Sequence, residues 1–167
     1  MKSGWTALAL GLFAAGAAQA ADAPLVDHWN EPQVERLLQS LGANSFERTT
    51  LAGLAGVIAR TSDGISIGVY AKACAAATPP AEPLCRGVEG ISSFAPGPSV
   101  DRPALADRLN HQYAAGKFLA EQDGTIRLTR YIDVQGGVSE ANLRAQLASY
   151  IALSRAARDA VWAAPAK

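Results

Sequence analysis

The sequence predicts an α+β fold: one antiparallel sheet with helices packed on one face, in the order α-β-β-β-α-β-β-α. Three observations predict it. Apolar residues recur at helical spacing in three separated stretches, marked by Val34, Leu37, Leu38 and Leu41, by Leu105, Leu109 and Tyr113, and by Leu143, Leu147, Tyr150, Ile151, Ala157 and Val161. Between them lie short runs of strand character, most cleanly Ile65 to Lys72, where apolar and other residues alternate. Turn signals at Thr61-Ser62-Asp63-Gly64 and Gln122-Asp123-Gly124 join neighbouring runs, and strands joined by tight turns are antiparallel.

The first helix has a defined start and stop. Asn30 is its N-cap, Gln33 at N3 completes an approximate capping box, and Trp29 precedes the cap where it can staple onto Val34. Pro32 is tolerated because first-turn amides have no partner inside the helix. Gly42 ends the helix. Strands are expected over Ser45–Leu51, Leu54–Arg60 and Ile65–Lys72, the last two joined as a hairpin through Asp63-Gly64. A loop bounded by cysteines and an apolar patch, Val88 to Phe94, follow, and Ala95-Pro96-Gly97-Pro98-Ser99 is a loop. Ser99 or Asp101 caps the second helix. Lys117 to Glu121 leads through the next turn into a strand with Ile126, Leu128, Ile132 and Val134 on its inner face. Gly136-Gly137 ends that strand, and Ser139 caps the last helix, with Glu140 placed to suit its dipole.

The amino terminus reads as an export signal. Lys2 is a short positive region, Trp5 to Ala18 an apolar core, and Ala18-Gln19-Ala20 a cleavage site, so residues 1–20 are expected to be removed. The apolar run is shorter than the ~20 residues a membrane span needs, and no span is expected after cleavage. Residues 21–162 form a single domain, with a frayed tail at 163–167. A periplasmic or secreted location follows.

Charge excludes some partners. The chain carries 15 basic and 15 acidic residues, Lys2 leaves with the signal, and Arg36, Arg60, Lys72, Arg108, Arg127 and Arg144 are scattered. Nothing here favours nucleic acid. Cys74 and Cys85 are the only cysteines, and an even, closely spaced pair in an exported chain reads as a disulfide. A redox-active pair would want the CxxC spacing, which is absent, and a metal pair would want nearby histidines.

No catalytic signature emerges. His28 and His111 are the only histidines, and His111 lacks an HxxxH partner. No serine sits in a GxSxG elbow or an SxxK motif. With Gly124 at position six of a calcium loop, Leu119 and Arg130 would fall at positions one and twelve, where carboxylates belong. The same alignment on Gly64 places Ala59 and Tyr70 there, so both segments read as turns. Gly136-Gly137 lacks the phosphate-loop patterns. No cofactor and no metal are expected.

Arg130 breaks the local rule: alternation puts it on the inner face beside Leu128 and Ile132. A bulge could turn it out, its head could snorkel at the edge, or it could contact an anion in a groove.

The segments Leu109-Asn110, Glu121-Gln122-Asp123-Gly124 and Asp133-Val134-Gln135-Gly136-Gly137-Val138-Ser139 resemble the YbjN family of bacterial proteins, which is similar in fold to type III secretion chaperones. The likeness covers roughly Glu31 to Trp162, most specifically Leu105 to Tyr150. Asn110, Asp123-Gly124 and Gly136 to Ser139 fall on family positions, while Leu109 stands where the family often has an aromatic and the acidic run at the hairpin is thinner. The resemblance implies the same element order, no known reaction and a loose link to regulation.

The leading expectation is an exported, non-catalytic domain that binds an unidentified protein or a second copy of itself. It would use the open sheet face, a sheet edge or the last helix, with Arg130 and Asn110 as candidate binding residues. The alternatives are a small-ligand-binding or hydrolytic protein with a pocket between sheet and helices near Arg130 or His111, and a structural envelope component.

Overall fold

The computed structural model describes residues 25–76 and 83–163. The expected signal (1–20), the middle of the cysteine loop and residues 164–167 of the expected tail lie outside the described residues. In chain order the elements are β1 (Leu25–Val26), α1 (Glu31–Ser40), β2 (Ala43–Leu51), β3 (Leu54–Thr61), β4 (Ser66–Cys74), β5 (Cys85–Phe94), α2 (Arg102–Gln112), β6 (Lys117–Ala120), β7 (Ile126–Asp133), β8 (Val138–Ser139) and α3 (Glu140–Trp162). Six strands form one sheet in the order β2-β3-β4-β5-β7-β6, antiparallel at every pairing, and β1 pairs with β8. The expected α+β class and the alternation of helices and sheet segments are what the molecule shows.

One segment gains an element. The apolar patch Val88 to Phe94, which carries no clear period, is the body of β5, central in the sheet between β4 and β7. Glycines and serines blur its pattern because of what lies on it. A Cβ on Gly90 would stand 2.7 Å from Cε1 of Tyr150 in α3, so the strand has no side chain there to signal its inner face. The two-residue strands β1 and β8 are too short to leave any period.

The caps form as the sequence suggests, with one change. Asn30 Oδ1 accepts the Gln33 amide at 3.0 Å, Asp101 Oδ1 the Ala104 amide at 3.2 Å, and Ser139 Oγ the Asn142 amide at 3.2 Å. The Gln33 side chain does not turn back on its own helix. It donates to Glu140 Oε2 at 2.9 Å and ties α1 to the start of α3.

A single core lies between the sheet and the helices. It unites Val69, Val88 and Leu128 of the sheet with Leu38 of α1, Leu109 of α2 and Leu147 of α3, all buried. At about 25 cal/mol per Å², this apolar burial is the main favourable term of the fold. One polar cluster sits within it. The Ser92 hydroxyl lies 2.7 Å from the Tyr150 hydroxyl and 3.2 Å from Ser154 Oγ, and Ser154 donates to the Tyr150 carbonyl at 3.0 Å. These buried groups are therefore partnered. Burial holds the Tyr150 phenol well above its usual range.

The cysteines are bonded, as expected. Cys74 and Cys85 are direct partners in the β4–β5 register, with 2.08 Å between the sulfurs.

Candidate functional site: the open sheet face and its free edge

Among the described residues, the helices cover one face of the sheet and leave the other bare. On the bare side, Tyr70, Glu89 and Tyr131 form a row, since Tyr70 pairs with Glu89 and Glu89 with Tyr131 across β4, β5 and β7. Glycines surround the tyrosines. A Cβ on Gly56 would stand 2.2 Å from Tyr70 Cδ1, and one on Gly68 would stand 2.5 Å from Tyr70 Cε2. Opposite edges of one ring thus rest at Cβ height on two strands, so the ring lies down on the backbone. Tyr131 also comes down toward the sheet, with its hydroxyl end over Gly87, 2.5 Å from where a Cβ would be. Its side chain is nonetheless exposed, at 53 %. Partial burial pushes the Tyr70 phenol up. Between the rings, Lys72 Nζ and Glu89 Oε2 pair at 2.9 Å.

The two edges of the sheet differ. At one, β6 is only four residues long and is sealed at its middle by α2. Phe118 N–H donates to Asn110 Oδ1 at 2.8 Å, and Asn110 Nδ2 donates to the Phe118 carbonyl at 2.9 Å, as a neighbouring strand would. Asn110 therefore occupies both backbone pairing groups of Phe118.

At the other edge, β2 runs nine residues. Ala52 (φ +52°) and Gly53 (φ +79°) form the two-residue turn to β3, which makes Leu51 and Leu54 a mutually hydrogen-bonded pair. Alternation then directs the backbone groups of Thr50, Arg48 and Phe46 away from β3, to a side where no described strand pairs with them. Arg48 points to the helix side, where its Nε lies 2.7 Å from Glu31 Oε1 and 3.4 Å from Glu35 Oε1. Beside it, a cleft of about 710 Å³ opens among Trp29, Pro32, Thr50, Leu54 and Leu84.

Arg130 is on the inner face, as its place in the alternation requires. No bulge turns it out: Nη1 donates to Ser149 Oγ at 3.0 Å and Nη2 to Gln146 Oε1, both on α3. The structure therefore does not bring Arg130 and Asn110 onto a common group. Each is engaged by its own structural partner: Arg130 reaches α3, and it also lines a shallow depression with Lys117 and Tyr131. His111 is exposed on α2, and His28 is exposed with Nδ1 2.5 Å from Asp27 Oδ1. The bare face and the free edge escaped residue-by-residue reading. The signal lay in the outward positions of Gly68, two residues from Tyr70 on β4, and of Gly56 and Gly87, each on a strand next to a tyrosine.

Residues 32–162 match the model of the YbjN family, described as "Putative bacterial sensory transduction regulator". The chain belongs to the YbjN family. The Asn110 clamp and the Gly136-Gly137-Val138-Ser139 entry to α3 lie within this YbjN region. Among solved structures, a chain of the HopA1–SchA chaperone–effector complex is similar, with a TM-score of 0.46 and 14 % identity, covering 77 % of this chain and 91 % of that one. No curated protein matches the chain. Among the described residues, no helix is long and apolar enough to cross a membrane.

Proposed function

We propose that this YbjN domain is an exported, non-catalytic regulatory module that binds a protein partner by accepting an extended segment along β2. The observation that carries the reading is the asymmetry of the sheet: one edge is short and held by Asn110, while the other presents the outward groups of Phe46, Arg48 and Thr50. Main-chain pairing supplies affinity in such a mode, and flanking cavities select side chains. The cleft beside Arg48 and Thr50 lies where a side chain of the added strand would enter on the helix side. Arg48, already flanked by two glutamates, disfavours a basic residue opposite it less than a bare arginine would. Support for the non-catalytic reading is the description of the YbjN family as a regulator. Support for export is the leader together with the disulfide.

The test is affinity capture from envelope extract, with the oxidised chain from Ala21 as bait. Thr50→Pro serves as the control, because it removes one outward N–H without touching the β2–β3 ladder. One near-stoichiometric partner captured by the parent and lost with Thr50→Pro is expected. Equal capture by both would refute the edge. Recovery of the bait alone as a dimer, disrupted by Thr50→Pro, would make the added strand a second copy of β2.

A further inference from the structure

We infer that the bare face of the sheet is a platform for a neutral oligosaccharide, separate from the β2 edge. The geometry of the rings carries it. Tyr70 and Tyr131 do not stand up from the sheet as strand residues ordinarily do. Gly56 and Gly68 let both long edges of the Tyr70 ring rest at Cβ height, so one of its faces looks onto the backbone and the other away from the sheet, and Gly87 lets the hydroxyl end of the exposed Tyr131 ring come down onto the neighbouring strand. Their strand positions are separated by one strand, which sets them about 10 Å apart at the backbone. The face of a pyranose presents C–H groups that an aromatic π-face attracts, because the ring quadrupole is negative there. Two rings at this spacing suit a chain of at least two sugar units, one over each.

The polar groups around the rings fit the same ligand. Glu89 stands in the row between the tyrosines and pairs with Lys72 at 2.9 Å. The pair cancels its own charge yet keeps free lone pairs and N–H groups for hydroxyls. A shallow depression of about 430 Å³ beside Tyr131 adds Thr129 and Lys117 to the available donors and acceptors. A polyanion would find Lys117 and Arg130 at the depression, but between the rings Lys72 is already paired and Glu89 opposes it, so nucleic acid is the poorer fit although bases also stack on tyrosine. A protein partner is the competing occupant, since exposed tyrosines also anchor protein interfaces.

The test is calorimetric and NMR titration of the disulfide-bonded protein with two probes, cellotetraose and tetra-N-acetylchitotetraose. Saturable binding of at least one is expected, with amide shifts confined to Tyr70, Glu89, Tyr131 and their outer-face neighbours. Tyr131→Ala should weaken it about tenfold or more, while Tyr131→Phe, which keeps the ring, should retain it. Gly87→Ala leaves both tyrosines in the sequence but forces Tyr131 off the backbone, and should weaken binding similarly. Tyr131 is exposed, so its variants should fold. Absence of saturable binding by either sugar up to about 10 mM overturns the inference, as does binding indifferent to Tyr131→Ala. So does a result in which neither sugar binds and Tyr131→Ala instead loses a captured protein, which would give the face to a protein. Thr50→Pro should leave sugar binding intact, so this inference and the edge reading fail separately.

Discussion

Two polar side chains, Asn110 and Asp63, hold backbone and loop in place through contacts whose loss is measurable. Asn110 makes both hydrogen bonds that a strand would make to Phe118, so Asn110→Ala should cost about 1–3 kcal/mol, measured by urea unfolding. Asn110→Asp is the sharper probe. It keeps an acceptor for the Phe118 amide but sets a carboxylate against the Phe118 carbonyl, and should be no more stable than the alanine variant at neutral pH. Asp63 governs an acid limb. Arg155 donates to both of its carboxylate oxygens, at 2.8 and 3.2 Å, and Thr61 donates at 2.6 Å, which hold its pKa well below the ordinary 3.8. A carboxylate depressed on folding contributes stability above its unfolded pKa and loses it as pH falls below that value. Asp63→Asn should therefore lose less stability than the parent between about pH 5 and pH 2, as thermal melts would show. Asp27 and Asp123 are also depressed, by His28 and by Thr125, so part of the acid limb should remain in the variant. At this scale the sequence was partly legible. Arg130's inner-facing place follows from strict alternation, but its partners on α3 come from a helix sixteen and nineteen residues away and carry no local mark.

The elements whose signals are local are the ones periodicity finds. Caps at Asn30, Asp101 and Ser139 and the turns at Asp63-Gly64 and Asp123-Gly124 depend on neighbours within three or four residues, so they can be read directly. β5 depends on what lies across from it: Gly90 is glycine because Tyr150 occupies its Cβ position, and no window along the strand contains that fact. The edges are likewise a property of strand order. Their difference predicts a pattern of amide exchange. The amides of Phe46, Arg48 and Thr50 should exchange at least about a hundredfold faster than those of Val57 and Ala59, which pair with β4 inside the sheet. Phe118, although on the opposite edge strand, should be protected, and Asn110→Ala should expose it. A slow Arg48 amide in the isolated chain would mean that β2 is already paired, either with itself or with another segment.

At the scale of the molecule, the disulfide joins more than two strands. It closes the β4–β5 connection at directly opposed residues, and the Cys85 carbonyl accepts the Trp29 amide at 2.7 Å, just before the cap of α1. Ala75 N–H donates to the Leu84 carbonyl at 3.0 Å, extending that anchorage into the loop. The bridge therefore fixes the wall of the cleft beside β2 as well as the sheet. The pairing was legible because the chain has only two cysteines, whereas its role at α1 was not, since Trp29 lies more than fifty residues upstream. Closing a loop of this length contributes roughly 3 kcal/mol by restricting the unfolded chain. Pro79, Pro80 and Pro83 already restrict it, so the loss in a Cys74→Ser/Cys85→Ser variant should be smaller, about 1–3 kcal/mol. All three helices share one core with the sheet, so the variant should still melt in a single transition, some 3–10 °C below the parent. Reductant should bring the parent's melt down onto that of the variant. If instead the variant melted in two steps, the α1 end of the sheet would be a separate unit that the disulfide alone couples to the rest, and the cleft beside β2 would open with it.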